Sequence, residues 1–247
     1  MRLAAALLAA AVAACNDGGP AMREPTSRPT FVERTASPRE RTPGKPPLLV
    51  LLHGIGADED DLASIAPELD PRFMVVSLRA PRPYHTGFAW FDIQWRADGT
   101  IVPNVAQARE TLAELVRWIE AAPARLGTDP ARLYVLGFSQ GAMMALGLLR
   151  TIPERLAGVV VLSGRFSDEV FPATAQPDAV ARVPLFVAHG ARDDVIPVAS
   201  GRAIRDAFQP MTRDFTYHEY PIPHAISADE IRTIGAWLTQ RLDRPIN

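Results

Sequence analysis

Leu133-Tyr134-Val135-Leu136-Gly137-Phe138-Ser139-Gln140-Gly141-Ala142-Met143-Met144-Ala145-Leu146 is the stretch on which the fold turns. A short apolar run of strand length leads into a G-x-S-x-G pentapeptide, and an apolar run with the look of a packed helix leaves it. A serine hydroxyl is a poor nucleophile unless it stands clear of its backbone where a base can reach it. A sharp strand-to-helix turn does that, and it crowds neighbouring segments so closely that glycine is needed two residues either side. Three residues at about 7% usage each would produce the pentapeptide by chance in roughly 8% of chains this long. The strand before it and the helix after it turn the match into a candidate nucleophile, Ser139, rather than a tight turn with a spare serine.

Further out, more short apolar runs are bounded by turn residues: Leu48–Leu52, Phe73–Leu78, Val159–Leu162 and Leu185–Ala188. Continuous rather than alternating apolar character suits parallel strands buried on both faces. Helical stretches separate them. One starts at the N-cap residue Asn104 and carries Val105, Ala108, Leu112, Leu115, Val116 and Ile119 on one face. Another starts near Ser227 and carries Ile231, Ile234, Trp237, Leu238 and Leu242. The alternation predicts a layered α/β fold with a mainly parallel sheet flanked by helices, in one domain over 48–247 without a large lid.

A serine nucleophile needs a histidine base, and the histidine needs a carboxylate to hold its tautomer. On a strand–turn–helix serine the order along the chain is Ser, Asp or Glu, His. Of the five histidines, His53 and His85 precede Ser139. His189 closes a strand and reads as a structural loop residue. His218 lies in Asp214–Tyr220, which alternates like an edge strand, whereas His224 follows on a loop and is preferred. Asp193 and Asp194 both sit on a loop after a strand, where α/β sheets place ligand and catalytic groups. Asp193 is favoured as the acid and the other aspartate as a turn cap. The oxyanion of the tetrahedral intermediate needs two backbone N–H donors. Gln140, directly after the serine, offers one; Ile55 in His53-Gly54-Ile55-Gly56 offers the other.

These segments together, with Ala89-Trp90-Phe91-Asp92-Ile93 and Val195-Ile196-Pro197, resemble the phospholipase/carboxylesterase family of compact α/β-hydrolases, which includes acyl-protein thioesterases and bacterial carboxylesterases. The resemblance spans Leu48–Leu242. It implies a serine hydrolase of carboxylic ester or thioester bonds without metal or organic cofactor, with a triad at Ser139, Asp193 and His224 and oxyanion donors at Ile55 and Gln140. Tyr84–Phe88 and Gln94–Gly99 depart from the family pattern around Trp90-Phe91-Asp92. Phe88, Trp90, Phe91 and Trp95 read equally as an acyl-binding wall, with Trp90 and Phe91 the candidate substrate contacts, or as core packing under a long loop. Asp92 reads as a loop-stabilising carboxylate.

The N-terminus is a separate object. Arg2 is followed by a continuous apolar run, Leu3 to Ala14, too short to span a bilayer as a mature helix. Val12-Ala13-Ala14-Cys15 resembles the lipobox of bacterial lipoproteins, and Cys15 is the chain's one cysteine. Residues 1–15 are therefore expected to be a signal peptide ending at a lipidated Cys15, placing the protein on a membrane of the bacterial cell envelope; a secreted or periplasmic protein is the alternative. Asn16 to Pro47 holds seven prolines and few large apolar residues, and is expected to be a disordered spacer. The chain carries a net charge of −2. Setting aside Arg2 and this spacer, with six Lys or Arg against four Asp or Glu, leaves about −5 on the domain, which offers no footprint for nucleic acid. The expected partners are a small or lipid-like ester and a membrane. The rival functions are a peptidase of the same fold and a catalytically silent tethered binding protein, though a binder has no need of the three polar residues.

Overall fold

A computed structural model describes residues 31–41, 43–96, 101–171 and 176–244. The expected signal peptide, Cys15 and the first half of the expected spacer lie outside them, as does the side chain of Trp95. The chain runs β1 (Glu33–Ala36), β2 (Leu48–Leu52), α1 (Glu59–Ala63) and β3 (Met74–Leu78). Two small hairpins follow, β4 (Arg82–Tyr84) with β5 (Gly87–Ala89) and β6 (Ile93–Trp95) with β7 (Ile101–Pro103). The rest is α2 (Val105–Leu126), β8 (Leu133–Phe138), α3 (Gln140–Thr151), β9 (Gly158–Leu162), α4 (Pro177–Val180), β10 (Leu185–Gly190), α5 (Ala199–Phe208), β11 (Phe215–Tyr220) and α6 (Ala228–Leu242).

Seven strands form one sheet in the order β1-β3-β2-β8-β9-β10-β11. All neighbours are parallel except β1, which runs antiparallel to β3. The interior strands are apolar throughout because both faces are covered. Leu48, Val50 and Leu52 point into one core with Leu112, Leu115 and Ile119 of α2, Ala145 and Leu148 of α3, and Ile204 of α5. Leu49 and Leu51 point into the other, with Leu62 of α1 and Ile234, Trp237 and Leu238 of α6. Each such large side chain contributes about 1.5–3 kcal/mol through removal from water. The helix starts read from sequence hold: the Asn104 side chain accepts from the Gln107 N–H at 3.2 Å, and Ser227 begins α6.

The expected spacer ends earlier than its composition implied. Phe31 is buried in the first core, with its ring 5.9 Å from that of Trp90. Glu33 accepts from the Trp118 indole N–H at 2.8 Å. The Pro46 carbonyl accepts from the Asp129 N–H at 2.9 Å. The folded unit thus already includes Phe31, well before Leu48. Glu33-Arg34-Thr35-Ala36 has no apolar alternation because it is an edge strand, held by its backbone pairing with β3 and by polar contacts, so hydrophobic patterning could not detect it.

Ser227 and Glu230 form a reciprocal capping box at the start of α6. Glu230 is buried, and desolvation pushes its carboxyl up to about 7, opposed by the hydrogen bond from the Ser227 backbone. The unfolded chain ionises this group near its ordinary 4.5. The folded state therefore binds the proton more tightly, and stability tied to Glu230 is full below that value and falls as pH rises through the folded one. Glu230→Gln preserves the capping box and should gain stability relative to the native chain between about pH 5 and pH 8. Urea midpoints at the two pH values check this; an unchanged difference would contradict it.

Candidate active site

Ser139 sits where β8 ends and α3 begins, with φ +55° and ψ −115°, a sparsely populated backbone state that functional turns hold against its cost. Its N–H donates to the Leu162 carbonyl of the neighbouring strand at 2.9 Å. A β-carbon on Gly137 would stand 2.3 Å from the Gly141 carbonyl oxygen, and one on Gly141 would stand 2.0 Å from that of Leu52. Both positions exclude any side chain, which is the crowding the G-x-S-x-G spacing implied.

The structure brings together residues from three loops. His224 Nε2 lies 2.9 Å from Ser139 Oγ, and His224 Nδ1 lies 2.7 Å from Asp193 Oδ2. The carboxylate fixes the proton on Nδ1 and leaves Nε2 to accept from the hydroxyl. The Asp193 side chain is fully buried, and its other oxygen accepts from the Val195 and Ile196 N–H groups at 3.0 and 2.8 Å. One residue thus fills both roles that sequence reading divided between neighbours, orienting the histidine and capping the turn, while Asp194 is exposed. His218 lies on edge strand β11 with its ring 5.5 Å from Phe186, away from Ser139. His189 is buried at the end of β10, and desolvation lowers its pKa. Its Nε2–H donates to the Ile196 carbonyl at 2.8 Å, steadying the loop that carries Asp193.

The segment holding Ile55 is gripped from several sides. His53 Nε2 accepts from the Ala80 N–H at 3.0 Å, so its proton is on Nδ1, which donates to the Gly54 carbonyl at 2.6 Å. Burial lowers the His53 pKa and keeps the ring neutral in this tautomer. The carbonyl and N–H of a trans peptide point in opposite directions. Holding the Gly54 oxygen against His53 therefore turns the Ile55 N–H the other way. The Trp90 indole N–H donates to the His53 carbonyl at 2.8 Å. Phe88 brackets the far end, its N–H donating to the Ala57 carbonyl at 2.9 Å and its carbonyl accepting from the Gly56 N–H at 2.8 Å. The Gln140 side chain accepts from the Trp90 N–H and donates to the Phe91 carbonyl, both at 2.7 Å. Ile55 and Gln140 line one cavity with Ser139, and neither backbone N–H has a protein acceptor among the described residues.

That cavity measures about 240 Å³ and is walled mainly by Phe91, Ile93, Ile101, Pro103, Met143, Val195 and Ile196, with Arg165 and Ser200 also on its surface. Phe91 therefore faces the site. Trp90 does not: it is wholly buried in the core, and its expected role as a substrate contact is replaced by that of a bolt between the Ile55 loop and the start of α3. Phe88 packs under the Arg79 guanidinium, 4.5 Å from its ring centre, and is likewise no part of the wall. Asp92 holds its loop as expected, accepting from the Gln107 side chain at 2.9 Å. The wall from β6 and β7, and Arg165, went unread in the sequence. For Arg165 a signal existed, its place just past the C-terminal end of a parallel strand.

Residues 34–242 match the model of the family described as Phospholipase/Carboxylesterase. The chain belongs to that family. The esterase YpfH of Escherichia coli (strain K12) is 28% identical over 183 residues, covering 71% of this chain and 75% of that one. Acyl-protein thioesterase 1 of Yarrowia lipolytica is 28% identical over 160 residues, 62% of this chain and 69% of that one. The crystal structure of esterase PE8 superposes with a TM-score of 0.72 at 26% identity, covering 85% of this chain and 98% of that one. A carboxylesterase from Mesorhizobium loti shares the fold, with a TM-score of 0.71 at 22% identity over 85% of this chain and 95% of that one. The fold is the α/β-hydrolase fold, and this member of the phospholipase/carboxylesterase family is a hydrolase of ester bonds.

The buried tryptophan separates support from contact. Trp90→Phe keeps the ring but leaves the His53 carbonyl unsatisfied, and should cost about 1–3 kcal/mol of stability with little change in KM. Phe91→Ala should raise KM for a short-chain nitrophenyl ester. Urea unfolding and steady-state kinetics on both variants check the distinction, and a KM effect confined to Trp90→Phe would reverse it.

Proposed function

We propose that this hydrolase cleaves carboxylic esters, thioesters included, through a Ser139–His224–Asp193 triad and an acyl-enzyme. His224 takes the Ser139 proton as the hydroxyl attacks the substrate carbonyl. The Ile55 and Gln140 N–H groups receive the developing oxyanion. His224, now an imidazolium stabilised by Asp193, gives the proton to the leaving alcohol or thiol. A water then attacks the acyl-serine with His224 again as base, releasing the acid and restoring the free hydroxyl. The observation that carries this reading is the unbroken relay of hydrogen bonds, 2.9 Å from Ser139 to His224 and 2.7 Å from His224 to Asp193. The mainly apolar cavity beside Ser139 supports a small or lipid-like ester as substrate.

Ser139→Ala and His224→Ala should each lower ester hydrolysis by several orders of magnitude without unfolding the protein, and Asp193→Asn by roughly 10³–10⁴-fold. Asp194→Asn should stay near the native rate. A fluorophosphonate probe should label the native chain and not Ser139→Ala. Native turnover in His224→Ala, or equal losses at Asp193 and Asp194, would overturn the assignment; an unlabelled native chain would point instead to a silent binding protein.

We also propose export and lipidation at Cys15, which would tether the catalytic domain to a membrane of the bacterial cell envelope. Support comes from the charged start, the apolar run and the lipobox-like end of residues 1–15. With Phe31 inside the folded unit, fifteen residues separate it from Cys15 and span at most roughly 55 Å, so the cavity would work close to the lipid surface. One acyl chain binds membranes only marginally, so a stable anchor requires the several chains that lipoprotein processing adds. In a bacterial host the native chain should take up labelled fatty acid and fractionate with membranes. Cys15→Ser should lose both while its domain still hydrolyses esters; equal labelling or retention of that variant would refute the tether.

A further inference from the structure

Among the described residues, Arg165 is the one charged side chain on the cavity that contains Ser139. It leaves the sheet at the same end as the serine. Phe138 of β8 pairs with Leu162 of β9, Ser139 follows the first, and Arg165 stands three residues past the second. The arginine is half-buried, and its guanidinium is poorly satisfied. Both terminal nitrogens donate to a single acceptor, the Ile101 carbonyl on β7, at 3.3 and 3.4 Å, which is beyond the usual range for N–H to oxygen bonds. Among the described residues it has no carboxylate partner. Asp168, close in sequence, is instead bound to Arg150 at 2.8 Å. The remaining wall is mostly aliphatic or aromatic, including Ile55, Phe91, Ile93 and Met143.

A half-buried guanidinium beside such a wall, with no carboxylate partner among the described residues, keeps donors available to an incoming anion. A guanidinium offers a planar pair of donors that matches the two oxygens of a carboxylate or phosphate. We propose that Arg165 is a specificity residue that pairs with an anionic group on the substrate, so that this enzyme prefers esters carrying a carboxylate or phosphate a few atoms from the scissile carbonyl. The anion comes from either side of the ester bond: from the acyl part, as in a half-ester of a dicarboxylic acid, or from the alcohol part. The inference rests on Ser139 being the nucleophile, since it places the reacting carbonyl in the same cavity. Arg165 touches the substrate's distal group and takes no part in bond making or breaking.

The test uses two matched pairs of esters. Methyl hexanoate against monomethyl adipate places the anion on the acyl side, and butyl butyrate against 4-butyryloxybutyrate places it on the alcohol side. Hydrolysis is followed by pH-stat in the native protein, Arg165→Met and Arg165→Lys. The native protein should favour the anionic member of one pair by about tenfold in kcat/KM, chiefly through KM. Arg165→Met should erase that preference and leave the neutral ester within about threefold, and Arg165→Lys should recover part of it because the charge remains. Whichever pair responds identifies the side that carries the anion. No native preference in either pair, or an equal loss for neutral and anionic esters in Arg165→Met, overturns the proposal; the second result would reduce Arg165 to a brace for Ile101. Binding of the same four esters to Ser139→Ala, measured by calorimetry with and without Arg165→Met, gives the answer without turnover. Anion preference in binding together with absent hydrolysis would sink the triad and keep the anion site, whereas hydrolysis without anion preference would do the reverse.

Discussion

Helix α3 can press its first turn against the end of β2 only because Gly141 has no side chain: the Leu52 carbonyl oxygen occupies the space a β-carbon would need, 2.0 Å away. The rest of the site follows from that contact. It brings the start of α3 beside the loop that leaves β2, so that Ser139, the Gln140 N–H and the Ile55 N–H border one cavity. It also requires the chain to leave β8 through a positive φ at Ser139. Backbone strain of this kind costs on the order of 1–3 kcal/mol, and here it is held by a sheet buried on both faces. A substitution at either flanking glycine would move Ser139 and the Gln140 N–H together.

Backbone donors have no side chain of their own to aim them, so the aim must be supplied by neighbours. In this protein the neighbours are polar groups sunk in an apolar core. His53, fixed as the neutral tautomer by the Ala80 N–H, holds the Gly54 carbonyl. Trp90 holds the His53 carbonyl, and the Gln140 amide ties Trp90 and Phe91 to α3. The His53, Trp90 and Gln140 donors in this network each meet an acceptor, which is the condition under which a polar network rigidifies instead of destabilising. His189 does the same for the Asp193 loop through Ile196. Two buried histidines thus serve as neutral struts, and His224, placed between Ser139 and Asp193, is the one positioned to move a proton.

The cavity wall combines apolar surface from the β6–β7 hairpin, from α3 and from the loop after β10 with a single guanidinium. These pieces come from parts of the chain far apart in sequence, and the two hairpins lie in the region that departs most from the family's pattern. Ser139, Asp193 and His224 sit on loops at the strand ends of the sheet, where the family resemblance is strong. Part of the cavity wall, from Ile93, Ile101 and Pro103, comes from the β6–β7 hairpin outside the seven-stranded sheet.

The sequence by itself determined the layered α/β architecture, because doubly buried strands must be continuously apolar and α2 and α6 announce their starts with capping residues. It also singled out Ser139 as the candidate nucleophile, because the turn that exposes it demands glycine at 137 and 141, and it ordered the candidates that led to His224. Only the tertiary structure decided that Phe31 and β1 belong to the domain, since an edge strand secured by backbone pairing leaves no hydrophobic period. Only it decided that Asp193 serves both the turn and the histidine, that Trp90 is a support and Phe91 a wall, and that Arg165 reaches the serine's cavity. Local sequence encodes which face of an element is buried and where it begins; which distant side chain satisfies a given carbonyl depends on how the elements pack, and no local pattern carries that information.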